Sequence, residues 1–358
     1  MTATPVYPRD GEFHALEEIH AAALDRLPQD AATYLESGAG TELTLRANRE
    51  AFARWVIRPR PLSGVSDPKT STEFLGILLS VPVLTAPFGG DALFAPEGHL
   101  AVARANAACG IASIVPEVGS FSYEEVAAAA PAAARIGQLH PHDSFDVSAA
   151  RIKAAGYDAL CVTVDCPVVG FRARNRMARF HPDPAIWGGN VTHDGSPNMA
   201  STFGARVVPP WTWDKLAEAT ARHGMPWVAK GILTPEAAEA ALAAGASAIL
   251  VSNHGGRQVD PAPASLDVLP EVAAQVGGRV PVLLDSGVRT GADVFLALAL
   301  GATAVVIGRL AAYGLAAAGE DGVRRTVELL TEELHILMTL AGIPDIPSLT
   351  AAAVAPRS

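Results

Sequence analysis

Ala243-Ala244-Gly245-Ala246-Ser247-Ala248-Ile249-Leu250-Val251-Ser252 and its echo Ala299-Leu300-Gly301-Ala302-Thr303-Ala304-Val305-Val306-Ile307-Gly308 carry the same grammar: helix end, glycine cap, buried strand. The pattern recurs at Ala155-Gly156-Tyr157-Asp158-Ala159-Leu160. Working outward, short apolar runs lie at Val81–Ala86, Ile111–Val115, Ala134–Leu139, Ala159–Val164, Trp227–Lys230, Ala248–Ser252, Val280–Asp285 and Ala304–Ile307. Most are continuous rather than alternating, as parallel strands covered on both faces should be. Alanine-rich helical segments such as Pro235–Ala244 and Ala292–Leu300 separate them. Eight strand–helix alternations predict an α/β fold, a closed (β/α)8 TIM barrel over about residues 80–340. All 358 residues are expected to form one domain. Residues 1–60 read as a helical extension leading to Ser37-Gly38-Ala39-Gly40, which caps the barrel's lower end or reaches around to its mouth. A long loop after the fourth strand, Phe171 to Pro210, sits where a lid would sit.

Bulk properties narrow the function. The formal charge of −10 argues against nucleic acid, which needs clustered Lys and Arg. Cys109, Cys161 and Cys166 form neither a disulfide framework nor a zinc site, and a reducing cytoplasm fits. Arg9, Asp10, Glu12, Glu17 and Glu18 read against a signal peptide. The most apolar window, Val294 to Leu315, is broken by Gly301, Gly308, Arg309 and Gly314, so it predicts helix, strand, helix rather than a membrane span.

In such a barrel the working groups lie at the carboxyl ends of the strands. Those ends read Ala86-Pro87-Phe88-Gly89, Gln138-Leu139-His140, Thr163-Val164-Asp165, Lys230-Gly231, Ser252-Asn253-His254, Asp285-Ser286-Gly287 and Gly308-Arg309. Gly287 and Gly308 let backbone amides approach an anion, and Arg289 and Arg309 supply charge, the form of a barrel phosphate site. Lys230 closes a buried strand and needs negative charge nearby, either Asp285 or an anionic cofactor or intermediate. His254 stands at a strand end with Asp165 placed to orient its imidazole. Arg257 and Arg172 bring two forks suited to a carboxylate. Arg174, Arg176 and Arg179 read as loop charges, and His140-Pro141-His142-Asp143 lacks a standard ligand spacing, so no metal is expected.

Ser252-Asn253-His254-Gly255-Gly256-Arg257-Gln258 and Asp285-Ser286-Gly287-Val288-Arg289, followed by Gly308-Arg309, resemble the FMN-dependent 2-hydroxy acid oxidases and dehydrogenases, the family of glycolate, lactate and mandelate oxidases. The likeness runs from about Leu16 to Gly342. It implies FMN, with His254 as active-site base, Asp165 as its partner, and Tyr34, Arg172 and Arg257 as the carboxylate clamp. It further implies that Lys230 stands beside flavin N1, and that Pro87, Phe88 and Gly89 lie against the ring. Gln138, Thr163 and Ser252 correspond to polar ring contacts, and Asp285, Gly287, Arg289, Gly308 and Arg309 to ribityl and phosphate contacts. A homotetramer is expected by the same analogy.

The chain also departs from the family. Pro116-Glu117-Val118-Gly119 stands where Ser-Ser-Trp-Ala is common, and His140 replaces a tyrosine. Val118 opens volume beside the substrate, which favours a bulky or aryl side chain over glycolate or lactate. Glu117 is expected to turn outward; the other reading has it meet a cationic substrate group. Gly89 stands where oxidase members often have alanine, a position that affects how oxygen reaches the flavin. The resemblance therefore implies oxidation of an L-2-hydroxy acid to a 2-oxo acid (class EC 1.1.3.-) with O2 as acceptor, a quinone or carrier protein standing second. The alternatives are a flavin enzyme acting on an amine or a carrier-bound intermediate, and a flavin-binding protein without turnover.

Overall fold

The computed structural model describes residues 13–190 and 211–357. Eight parallel strands close into a barrel: β1 (Val83–Thr85), β2 (Ala112–Val115), β3 (Arg135–Leu139), β4 (Ala159–Thr163), β5 (Trp227–Ile232), β6 (Ala248–Val251), β7 (Val282–Leu284) and β8 (Ala304–Ile307), with β8 pairing back onto β1. Each lies within or against its expected run. Both faces are buried, which is why the strands read as unbroken apolar runs. One parity, including Leu84, Ile114, Ile136, Cys161, Val228, Leu250, Leu283 and Val306, fills the interior. The other packs on the helices.

The lower end has a plug that sequence reasoning did not foresee. An antiparallel hairpin, Thr72–Phe74 against Ile77–Leu79, inserts Phe74, Ile77 and Leu79 among the interior residues. The helical extension consequently goes elsewhere. Helices α1 (Leu16–Arg26), α2 (Gln29–Glu36) and α3 (Leu43–Ala53) run from the helical segment Arg309–Ala341, which is kinked at Ala318 and Gly319, to the mouth. There Ala39 N–H donates to Gly256 O (2.8 Å) and Gly40 N–H to Phe171 O (2.7 Å). Of the two placements open to the extension, the structure has the mouth.

The window Val294 to Leu315 resolves into helix Gly291–Ala299, strand β8 and the start of helix Arg309–Ala341. Among the described residues no helix is long and apolar enough to cross a membrane. The loop after β4 carries a short helix, Ala173–Met177, and a 3-10 turn, Pro184–Trp187, over the mouth; its remainder, 191–210, lies outside the described residues.

Candidate active site

A cavity of about 1160 Å³ opens at the carboxyl ends of the strands. Tyr34, Pro87, Phe88, Gly89, Val118, Gln138, His140, Thr163, Arg172, Lys230, His254, Arg257, Asp285, Gly287, Arg289, Gly308 and Arg309 all line it. Asp165 and Ser252 stand behind that surface, each bonded to a residue on it.

The turn after β6 aims the histidine. His254 has φ +59°, a left-handed conformation uncommon for a side-chain-bearing residue and characteristic of functional sites. Hydrogen bonds over-determine it: His254 N–H donates to Ser252 Oγ (3.1 Å), Gly255 N–H to Ser286 Oγ (2.9 Å), and Gly256 N–H to Asn253 Oδ1 (3.0 Å). Gly256, at φ +73°, lies against α3, where a Cβ would come within 2.7 Å of Leu45 N. From behind, α3 braces the turn through paired amides. Asn48 Nδ2 donates to Asn253 Oδ1 (2.9 Å), and Asn253 Nδ2 donates to Asn48 Oδ1 (2.7 Å).

His254 Nδ1 stands 3.2 and 3.3 Å from the two Asp165 carboxylate oxygens. A carboxylate only accepts, so Nδ1 carries the proton and Nε2 keeps the lone pair. Burial, then the Lys230 ammonium, hold the imidazole below its ordinary value against the pull of Asp165. It is therefore a neutral base at pH 7. Burial works to raise the Asp165 carboxyl, but His254 and Lys230 outweigh it and keep Asp165 ionised.

Lys230 is 4 % exposed and donates to Ser252 Oγ (3.1 Å), with Asp285 Oδ2 at 3.6 Å. Burial opposes its charge; Asp285 and Asp165 more than restore it, so the ammonium is retained. Both expected roles are thus open to it: an ion pair behind, a cation facing the cavity. A bulge at Gly231 sets the spacing, since a Cβ there would lie 2.5 Å from that of Asp165.

Arg257 and Arg172 stand together. Arg257 Nη1 donates to Tyr34 O (2.9 Å) and Ser37 O (2.8 Å), and its guanidinium lies 4.8 Å from the centre of the Tyr34 ring. Burial, then the adjacent Arg172, push the Arg257 guanidinium well below its ordinary value. Two half-buried like charges side by side, with N–H groups to spare on the cavity, suit an anion between them.

The other end of the cavity has its own anion site. Helix Arg309–Ala341 begins at the cavity wall, and its first amides have no intrahelical acceptors. Arg309 Nε, Nη1 and Nη2 donate to Leu35 O, Gly255 O and Ser37 O, which fixes the fork. Burial, then Arg289, bring Arg309 down to about 10, again an uncompensated positive site. Gly287, at φ +100°, is a glycine for packing as well, because a Cβ would meet Asn48 O at 2.6 Å.

Two expectations need correction. Glu117 does not turn outward. It is 6 % exposed and accepts from His140 N (2.9 Å), His140 Nδ1 (2.8 Å) and His142 Nε2 (2.7 Å). These bonds outweigh burial and hold its carboxyl at about 2. The residues two apart in His140-Pro141-His142 thus share a carboxylate. Secondly, Arg176 and Arg179 are more than loop charges, for both line the cavity, while Arg174 pairs with Glu42 at 2.8 Å. Gly89 is also constrained by packing: a Cβ would lie 2.6 Å from Val118 O and 2.8 Å from Val118 Cγ2. Sequence reasoning also missed the aromatic wall. Phe180 stacks on Tyr34 with centroids 4.9 Å apart, and Trp187 meets it edge-on at 5.6 Å. An aperiodic loop gives no sign of which aromatics turn inward.

Residues 23–356 match the model of a family described as FMN-dependent dehydrogenase. An L-lactate oxidase from a Nostoc species is 41 % identical over 346 residues, covering 92 % of this chain and 95 % of that protein. A peroxisomal (S)-2-hydroxyacid oxidase from Arabidopsis thaliana is 40 % identical, covering 94 % of each. Among solved structures, a putative lactate oxidase from Pediococcus acidilactici superposes with a TM-score of 0.91 at 34 % identity, over 98 % of this chain and 97 % of that one. A mandelate oxidase with (S)-2-phenylpropionate gives 0.87 at 37 %, over 97 % and 99 %. The donor set fits FMN: a helix start with two arginines suits its phosphate, and the Lys230 ammonium suits an electron-rich ring edge. The chain belongs to the FMN-dependent dehydrogenase family and is an FMN-dependent enzyme of the 2-hydroxy acid oxidase group.

Proposed function

We propose that the enzyme oxidises an L-2-hydroxy acid with a bulky or aryl side chain to the 2-oxo acid, with O2 as electron acceptor. The observation that carries this reading is the convergence of His254, Arg172, Arg257 and Tyr34 on one cavity of about 1160 Å³, upper-range for a small-ligand site and roomy enough for a cofactor and an aryl acid together. Arg172 and Arg257 take the substrate carboxylate, with the Tyr34 hydroxyl beside them. That contact fixes the 2-carbon relative to His254. Of the two hydrogens lost, on the hydroxyl and on the 2-carbon, His254 Nε2 takes one as a proton, and Asp165 balances the imidazolium that results. FMN in this cavity would supply the acceptor for the two electrons and the other hydrogen. Pro87, Phe88, Gly89, Gln138 and Thr163 would form its ring site, with Ser252 holding Lys230 from behind; Asp285, Gly287, Arg289, Gly308 and Arg309 would hold its ribityl phosphate; Lys230 would supply positive charge at the ring.

Val118 supports the bulky class, since it puts a small side chain on the cavity wall. The mandelate oxidase likeness supports it too, while the lactate oxidase likeness favours small substrates. Oxygen as acceptor rests on the oxidase names of the relatives. A homotetramer rests on family analogy, and three free cysteines accord with a reducing cytoplasm.

The test is anaerobic bleaching of the yellow holoenzyme. Aryl 2-hydroxy acids should bleach it and glycolate should not; readmitted oxygen should restore the colour. His254→Ala should keep the colour and lose the bleaching. Equal rates for glycolate and mandelate would refute the bulky class, and unchanged reduction in His254→Ala would refute the assigned base.

A further inference from the structure

The cations on the cavity outnumber the anions so far assigned to them. Among the described residues Asp285 is the one carboxylate on the cavity wall, and it faces Lys230 at 3.6 Å. Arg289 and Arg309 stand at the phosphate end, and Arg172 and Arg257 at the substrate carboxylate. Arg176 and Arg179, on the loop after β4, line the same cavity with no such counterpart. Their neighbour Arg174 shows how the fold treats a cation that serves structure alone. Its Nε and Nη2 donate to Glu42 Oε1 (2.9 and 2.8 Å), and Nη2 donates also to Glu36 O (2.9 Å). Further along the loop, Arg176 and Arg179 meet no carboxylate among the described residues.

Both are nevertheless placed. The Arg176 guanidinium lies over the Phe171 ring, 4.6 Å from its centre. Such a contact engages the flat face of the fork and leaves the N–H groups at its edge free to donate. Arg179 has φ +51°, a left-handed conformation uncommon in a residue with a side chain. Arg179 N–H donates to Arg176 O and Phe180 N–H to Asn175 O, both at 3.1 Å, and these bonds close the turn. The turn seats Phe180 on the Tyr34 ring, centroids 4.9 Å apart, and that ring lies 4.8 Å from the Arg257 guanidinium. One wall therefore runs from the carboxylate clamp across Tyr34 and Phe180, with Arg179 next in the chain. It offers a cation, an aromatic surface, and further cations at the mouth.

We propose that Arg176 and Arg179 form a second anion subsite at the mouth, and that the substrate is a 2-hydroxy acid whose side chain ends in a carboxylate of its own. This names the substrate class within the reading of the cavity as a 2-hydroxy acid site, and it rests on that reading. Arg172 and Arg257 take the reacting end, the middle of the side chain packs on Tyr34 and Phe180, and the distal carboxylate meets the two outer forks. Both outer arginines are exposed, so two such pairs together are worth about tenfold in affinity and are weakened by salt.

The experiment uses the FMN-loaded enzyme and inert 2-oxo acids, whose binding is read from the change in flavin absorption. 4-Carboxybenzoylformate is compared with 4-nitrobenzoylformate, which keeps the shape without the charge, and 2-oxoadipate with 2-oxoheptanoate. The readout is the ratio of Kd values within each pair, so a general effect of a substitution on folding or flavin content cancels. Wild type should bind at least one dicarboxylate about tenfold more tightly than its neutral counterpart, and added salt should shrink that ratio. Arg176→Gln with Arg179→Gln should bring the ratio close to one, each alone should lower it in part, and the paired Lys substitutions should keep much of it. A wild-type ratio near one in both pairs, with the neutral acids bound, overturns the proposal and leaves the parent reading standing. A preference that survives in the double Gln variant overturns it as well, since the distal acid then binds elsewhere. A wild-type enzyme that binds none of the four acids and is not reduced by mandelate overturns the parent reading, and this one with it.

Discussion

At the scale of single residues, His254 and Gly89 make the sharpest claims. Burial and Lys230 hold His254 below its ordinary 6.5, so the acid limb of the kcat/KM profile should fall below pH 6.5. The sign for stability follows from the same shift. Between 6.5 and the lowered folded value, the unfolded chain binds a proton that the folded one refuses, so stability falls as pH drops through that window. Melting temperatures recorded from pH 7.5 to 4.5 would check it; a flat profile counts against a neutral, half-buried imidazole. Asp165→Asn should lower the rate of flavin reduction by roughly 10²- to 10⁴-fold, by loss of tautomer control, while FMN stays bound. Stopped-flow reduction under anaerobic conditions measures this. Gly89→Ala drives a Cβ into Val118 O and should cost about 1–3 kcal/mol of stability, read from denaturant unfolding. The identities of His254, Asp165, Lys230 and Arg257 were legible from strand-end position. The need for glycine at position 89 was not, because the atom it avoids is 29 residues on in another loop.

At the scale of elements, the β6 turn and α3 behave as one unit. Asn48 and Asn253 exchange two amide hydrogen bonds across 205 residues of chain. Asn48→Ala leaves Asn253 without that buried partner, and should cost about 1–3 kcal/mol and slow flavin reduction. A variant of wild-type stability and rate would show that the turn needs no brace. All eight barrel strands could be read from the sequence, because each strand's burial on both faces is written into its own local composition. The destination of α1 to α3 could not. A short amphipathic helix records that it has a partner, but gives no indication of which end of the barrel supplies it.

At the scale of the whole molecule, the cavity gathers Lys230, Arg172, Arg257, Arg289 and Arg309 inside a chain of formal charge −10. Like charges so placed repel one another, and FMN relieves much of that repulsion when bound. Stripping the flavin should therefore lower the melting temperature, and re-addition at a hundred times its Kd should return about 2.7 kcal/mol, tracked by thermal denaturation across an FMN titration. The strand pattern, the glycine-capped repeats and the strand-end polar residues determined the barrel and nearly every group on the cavity, since periodicity and chain position are local properties. The folded structure alone decided the burial of Glu117 between His140 and His142, the turning of Phe180 and Trp187 onto Tyr34, and the hairpin plug beneath the barrel. Each depends on contacts between segments far apart in sequence, whose energies no single segment encodes.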